Sequence, residues 1–173
     1  MLIRQCKIEE IETVGEFYDS VVKDLCENVN FPKWTYKVYP STQFVREMTC
    51  AGEQFVCFDN GKLVGAFVFN DDPQGEYEKA TWGVSLQRGE YGVCHALAIA
   101  TALQGKGLGK QIVDFCIQRA KRLGYKAIRL DVVPTNFPAR KLYEKCGFTY
   151  VGDADLERGY DDIPVFSLLE LNL

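Results

Sequence analysis

Apolar residues in this chain recur with two different periods, and the places where the period changes divide it into elements. Leu2 to Cys6 reads as a short strand. Ile8, Ile11, Val14, Phe17, Tyr18, Val21 and Leu25 then fall at helical spacing and predict a first helix. Asn28 to Pro40 breaks the pattern with prolines and aromatics, so it reads as a loop. Ser41 is placed to cap a second helix that runs to about Cys50. Glu53 to Asp59 and Lys62 to Asn70 read as strands around Asn60-Gly61, a hairpin signal. Asp71 to Glu78 reads as a polar turn, and Tyr91 to Ile99 as a fourth strand.

Further on, Leu108, Ile112, Val113, Cys116, Ile117, Ala120 and Leu123 share one face of a helix from Gly107, stopped by Gly124. Ile128, Leu130 and Val132 alternate as a fifth strand. Asn136 to Cys146 reads as a short helix closed by Gly147, and Phe148 to Val151 and Pro164 to Leu171 as final strands. This order predicts an α+β fold: one domain over residues 1–173, with a mixed sheet flanked by helices. The 173 residues and 47% apolar content suffice for one substantial core.

The segment Gln104-Gly105-Lys106-Gly107-Leu108-Gly109-Lys110 lies between the fourth strand and the next helix. A glycine-rich loop there can converge several backbone N–H groups at the positive end of a helix, which is a phosphate site. Spacing excludes two designs. A Walker A loop needs four residues before its Gly-Lys and then Ser or Thr, but Gly105 and Gly109 have three between them and Gln111 follows Lys110. A dinucleotide fingerprint counted from Gly105 and Gly107 needs its third glycine where Lys110 stands.

Gln104, Gly107 and Gly109 match the Gln/Arg-x-x-Gly-x-Gly/Ala pattern, and the chain resembles the GCN5-related N-acetyltransferase (GNAT) superfamily. Leu97-Ala98-Ile99 is similar to that family's splayed fourth strand. Asn136, Ala139, Leu142-Tyr143 and Gly147-Phe148 resemble its downstream signature. The resemblance is strongest over about residues 91 to 152 and implies a mostly antiparallel sheet that splays between strands 4 and 5.

The resemblance implies acetyl-CoA as co-substrate and direct transfer of its acetyl group to an amine. Backbone groups of Leu97, Ala98 and Ile99 would bond the pantetheine and the thioester oxygen. Gly105 to Lys110 would hold the pyrophosphate through backbone N–H groups, with charge from Lys106 or Lys110 and with Gln104 a further coenzyme-binding residue. Asn136 would bond the coenzyme arm, although helix capping explains it equally well. Tyr143 matches the proton donor to the departing thiolate, against the alternative of a tyrosine that packs the helix; a phenol pKa of about 10 is close enough to a thiol's of about 8.5 for that transfer.

An ammonium acceptor must lose a proton, to a side chain or to water, and two residues are candidates for that role. Asp131 occupies the position of a glutamate base in one branch of the family, with a shorter arm. His95, the single histidine, precedes Leu97 by two positions and by strand alternation shares its side-chain direction. It is a candidate base or substrate contact, or a structural histidine. Position 93, glutamate in the histone-acetylating branch, is Val93 here. Cys94 points to the opposite face from His95 by the same alternation, which argues against a Cys-His nucleophile pair. Phe31, Trp34 and Tyr36 lie where the family lines its acceptor pocket, and equally suit a loop plugged onto the core. Asp153, Asp155 and Glu157 are further acceptor-side candidates.

The seven cysteines form an odd set with no Cys-x-x-Cys spacing, which suggests buried thiols in a reducing compartment and no metal site. No stretch has the length of a membrane span, and Met1-Leu2-Ile3-Arg4 lacks a cleaved-signal pattern, so a cytoplasmic location and no membrane partner are expected. The net charge of −4 argues against nucleic acid as a partner. Lys106, Lys110, Arg119, Lys121 and Arg122 still place positive charge around one helix. The expected partner is a small-molecule or peptide amine, with a homodimer plausible in the family. The alternative to an enzyme is a non-catalytic acyl-CoA sensor, which would share every coenzyme residue. A nucleotide-binding protein is more distant.

Overall fold

The strands form one seven-stranded sheet in the order β1-β2-β3-β4-β5-β7-β6 in a computed structural model that describes residues 1–173. They are β1 (Leu2–Gln5), β2 (Gln54–Asp59), β3 (Lys62–Asn70), β4 (Tyr91–Ile99), β5 (Ala127–Val132), β6 (Thr149–Ala154) and β7 (Phe166–Asn172). The helices are α1 (Ile11–Glu27), α2 (Thr42–Cys50), α3 (Leu108–Leu123) and α4 (Phe137–Lys145). Pairs β1-β2, β2-β3, β5-β7 and β6-β7 are antiparallel, and β4-β5 is parallel. No helix is long and apolar enough to cross a membrane.

Backbone contacts divide the chain into two compact units, residues 1–69 with 95–112 and residues 70–94 with 113–173. In the first, α1 lays Ile11, Val14, Tyr18 and Val21 onto Val45, Val56, Ala66, Ala96 and Ala98. Its neighbour α2 starts where Ser41 Oγ accepts the Phe44 amide at 3.1 Å, the cap that the sequence predicts. The β2-β3 hairpin turns at Asn60-Gly61, both left-handed, and closes on the pair Asp59 and Lys62. In the second unit, Tyr77, Tyr91, Val93, Ala127, Val133, Leu156, Phe166 and Leu168 form the core.

Two sequence expectations change. The polar turn from Asp71 to Glu78 ends in a 3-10 turn at Tyr77–Lys79 whose tyrosine is 1% exposed, because its ring packs against Trp82 and Tyr91. The strand expected over Phe148 to Val151 instead covers Thr149–Ala154. A register shift between Tyr150 and Gly152 carries it past the apolar stretch into Asp153 and Ala154, a bulge that apolar alternation does not signal.

Candidate active site

β4 and β5 pair at three positions only, Tyr91, Gly92 and Val93 against Ala127, Ile128 and Arg129. β4 nevertheless continues to Ile99, and β5 keeps its pairing with β7 through Val132. Ala96 sits in the left-handed region at φ +47°, and its carbonyl accepts a 2.9 Å hydrogen bond from Tyr18 Oη. That residue interrupts strand alternation, so the period-2 rule that aligned His95 with Leu97 no longer holds across it. His95 itself is buried, as is Val93.

After β4 the chain makes a 3-10 turn at Thr101–Leu103 and enters the glycine loop. Gln104 Nε2 donates to the Ile99 carbonyl at 3.2 Å and so ties the loop to the end of the strand. Gly105 and Gly107 both have positive φ, +75° and +83°, and a Cβ on either would meet nothing within 4 Å. The open space and the exposed backbone suit a ligand that approaches the main chain itself. Leu108, Gly109 and Lys110 form the first turn of α3, whose amides no helix carbonyl can reach. Lys106 and Lys110 are exposed beside them. Donor set and charge both fit a pyrophosphate.

In the loop before α2, Trp34 is half-buried, with its ring edge-on to Tyr18 and to Tyr39. Asn30 fastens its backbone from both sides, donating to the Trp34 carbonyl at 2.7 Å and accepting its amide at 3.0 Å. Phe31 is half-buried, and Tyr36 is exposed with Lys37 over its ring. Trp34 thus plugs onto the core, while Tyr36 faces outward.

In the second unit, Asn136 caps α4, its Oδ1 accepting the Ala139 amide at 3.3 Å. The cap leaves the Nδ2 donors out of that bond. Tyr143 is 6% exposed and tilts against Phe148. Burial raises its pKa well above the usual value, with smaller contributions from Cys94, Cys116 and Asp131. The phenol therefore stays protonated through the neutral range.

Asp131 is held from two sides. Arg158 reaches it with both guanidinium arms, and the Tyr77 phenol donates to Oδ1 at 2.6 Å. Arg158 also donates to the carbonyls of Gln74 and Pro73 and lies over Phe166. A carboxylate committed to a fork and a phenol is an anchor for two loops. Asp155 caps its own loop by accepting the Glu157 amide, Glu157 pairs with Lys79, and Asp153 accepts from Ser167.

A cavity of about 340 Å³ opens at the start of β4, lined by Tyr77, Trp82, Tyr91 and Arg129 among others. Arg129 pairs with Glu170 at 2.9 Å and lies over the rings of Trp82 and Tyr91. Sequence reasoning missed Tyr77, Arg129 and Arg158. Only the charged residues Arg129 and Glu170 inside apolar strands offered a signal.

The chain belongs to the Acetyltransferase (GNAT) family, whose family model matches residues 20–148. An uncharacterized N-acetyltransferase, YvbK of Bacillus subtilis (strain 168), is 28% identical over 109 residues, which is 63% of this chain and 61% of that protein. A mycothiol acetyltransferase of Geodermatophilus obscurus is 30% identical over 95 residues, 55% of this chain and 28% of that protein. These matches span less than two thirds of the curated relatives' own length. Among solved structures, a GNAT-family acetyltransferase from Streptococcus agalactiae 2603 superposes with a TM-score of 0.81 at 19% identity, covering 99% of this chain and 95% of that one. The yncA protein of Salmonella typhimurium, described as a putative acetyltransferase with its cofactor acetyl-CoA, superposes with a TM-score of 0.68 at 19% identity. It covers 100% of this chain and 94% of that one.

Proposed function

We propose that this protein is an N-acetyltransferase that moves the acetyl group of acetyl-CoA directly to a primary amine of a small molecule, a lysine or a peptide N-terminus. The observation that carries this reading is the loop from Gln104 to Lys110, whose left-handed Gly105 and Gly107 leave the main chain open ahead of α3. Family membership and relatives named as N-acetyltransferases support it. An odd set of seven cysteines with no Cys-x-x-Cys spacing suits a reducing cytoplasm.

The coenzyme supplies an acetyl thioester whose C–S bond breaks as the amine nitrogen bonds the carbonyl carbon. The chain's own residues hold and protonate. Gly105 to Lys110 bind the diphosphate through backbone amides, and Asn136 bonds the pantetheine arm through Nδ2. Main-chain groups of Leu97, Ala98 and Ile99 bind the rest of the arm and the thioester oxygen. Tyr143, kept protonated by burial, gives its proton to the leaving thiolate and is reprotonated, through solvent, by the second proton that the attacking nitrogen sheds as the amide forms. With Asp131 anchored to Arg158, the ammonium proton leaves through His95 or through water.

The test is calorimetric titration with acetyl-CoA, followed by thiol release across polyamines, amino acids, aminoglycosides and short peptides. Wild type binds, and Gly107→Asp, which sets a carboxylate where phosphates sit, weakens binding about 10-fold or more. Equal binding by both proteins overturns the reading. Tight binding with no turnover on any amine points instead to an acyl-CoA sensor.

A further inference from the structure

We propose that Tyr18 is a positioning residue for acetyl transfer, because the hydrogen bond from its phenol to the Ala96 carbonyl fixes the direction of the main chain at Leu97. This rests on the reading above, in which the backbone of Leu97 to Ile99 receives the acetyl thioester.

Ala96 is a non-glycine residue at φ +47° inside a strand, a conformation that an L-residue takes only when its surroundings impose it. A left-handed residue in a strand turns its carbonyl out of the ladder, and a buried carbonyl so displaced needs another donor. Tyr18 provides one. Its side chain is 0% exposed, and Oη donates to the Ala96 oxygen at 2.9 Å. Gln54, also 0% exposed, spends its two Nε2 hydrogens on the carbonyls of Phe55 and Phe67 at 3.0 Å each, with Nε2 lying 3.4 Å from Tyr18 Oη. The Tyr18 hydroxyl thus commits its one proton to the Ala96 carbonyl, beside the buried amide of Gln54. Trp34 and Phe17 hold the ring by edge contacts.

The strand is fastened again just beyond Ile99, where the Ala100 amide donates to the Val64 carbonyl at 3.0 Å. Leu97, Ala98 and Ile99 therefore lie between two fixed points. The second is an ordinary backbone bond. The first depends on one hydroxyl group, whose loss lets Ala96 relax toward extended backbone and turns the amides that follow.

Tyr18→Phe keeps the ring and its packing and removes only the hydroxyl. The expected result is a kcat lowered about 10-fold or more, with acetyl-CoA affinity by calorimetry falling by a smaller factor than kcat, since the diphosphate loop is untouched while the amides after Ala96 turn. Ala96→Gly added to Tyr18→Phe restores part of kcat, because glycine takes positive φ without steric cost. A second readout needs no turnover: the backbone amide NMR shifts of Leu97 and Ala98 move in Tyr18→Phe and return toward wild type when Ala96→Gly is added. Unmoved amide shifts, or a fall in kcat that tracks melting temperature and is not rescued by glycine, overturn the proposal. Absence of acetyl transfer by wild type sinks the functional reading instead, and the shifts still decide whether Tyr18 sets the backbone.

Discussion

Arg158 and Asp131 meet in a fork-to-fork pair, Nη1 on Oδ2 and Nη2 on Oδ1 at 2.7 Å each. The two side chains are 16% and 9% exposed, so the charges are largely withdrawn from water and depend on each other. The same guanidinium holds the carbonyls of Pro73 and Gln74, and Gln74 is left-handed there at φ +53°. One side chain thus fastens the loops before β4 and after β6 to the end of β5. Gly75 lies under it, where a Cβ would come within 3.0 Å of Arg158 Nε and of the Leu156 carbonyl.

If Asp131 is an anchor, its loss appears in stability before it appears in a pH profile. Arg158→Ala leaves a mostly buried carboxylate without its cation and is expected to cost about 3 kcal/mol, on the order of 10 °C in melting temperature. Asp131→Asn keeps the Tyr77 contact and costs less. Thermal melts measure the first effect. For the second, kcat/KM against pH should keep its acidic limb in Asp131→Asn; a lost limb with an unchanged melting temperature would return Asp131 to the role of base.

Tyr143 carries the opposite expectation. Its hydroxyl is buried and its pKa raised, so in the role of acid proposed for it Tyr143 gives no titration of its own across the neutral range. Tyr143→Phe should lower kcat about 100-fold with little change in the KM for acetyl-CoA. Steady-state kinetics at pH 7 and 9 check it: the deficit should be the same at both. A deficit that vanishes at pH 9 would show that wild-type Tyr143 had already lost its proton there.

Much of this fold is legible in the sequence because the helices bury one face each and the central strands, buried on both faces, are apolar runs bounded by turn residues. The face of α3 at Ile112, Val113, Cys116 and Ala120, the Ser41 cap and the Asn60-Gly61 turn each have a local cause and stand where that cause puts them, whereas Leu123 at the end of the stripe is 51% exposed. The glycine loop is legible for the same reason. What the sequence hides are partners brought together from far apart. Tyr77 sits among polar neighbours, and nothing local shows that Trp82 and Tyr91 bury it. Nothing local to Asp131 shows that Arg158 meets it from a different loop. Tyr18 reads correctly as a core position of α1, but its hydroxyl has meaning only through Ala96, whose left-handed backbone no side-chain pattern announces.

Glu10 ties acid sensitivity to the start of α1. Arg4 grips its carboxylate at 2.6 and 2.7 Å and the Lys7 amide donates at 2.9 Å, which together lower its pKa from 4.5 to about 2 against the opposing effect of burial. A depressed folded-state pKa gives stability that is present above pH 4.5 and is lost as pH falls toward 2. Discounted for the partial exposure of both side chains, the contribution is about 1 kcal/mol. Glu10→Gln should be less stable than wild type at pH 7 by that amount, and the gap should close between about pH 4.5 and 2. Urea unfolding at several pH values tests this, and a pH-independent gap would assign the effect to packing alone.

Arg129 and Glu170 make the most deeply buried ion pair described here, with side chains 3% and 2% exposed. They face each other as register partners on β5 and β7, so neither can turn away to solvent without opening the ladder. Glu170 also accepts the Val84 amide at 3.2 Å, and Arg129 donates to the Val84 carbonyl, which binds the segment before β4 to the sheet. Removing one charge strands the other in the core, so Arg129→Leu alone should cost about 3 to 5 kcal/mol. Replacing both with leucine removes the stranded charge, and Val84 is exposed enough for its amide and carbonyl to find water. The double variant should therefore be more stable than Arg129→Leu. Urea midpoints of the two single variants and the double one decide the matter: strictly additive losses would mean that the pair contributes through packing and cation-π contact with Trp82 and Tyr91 rather than through charge.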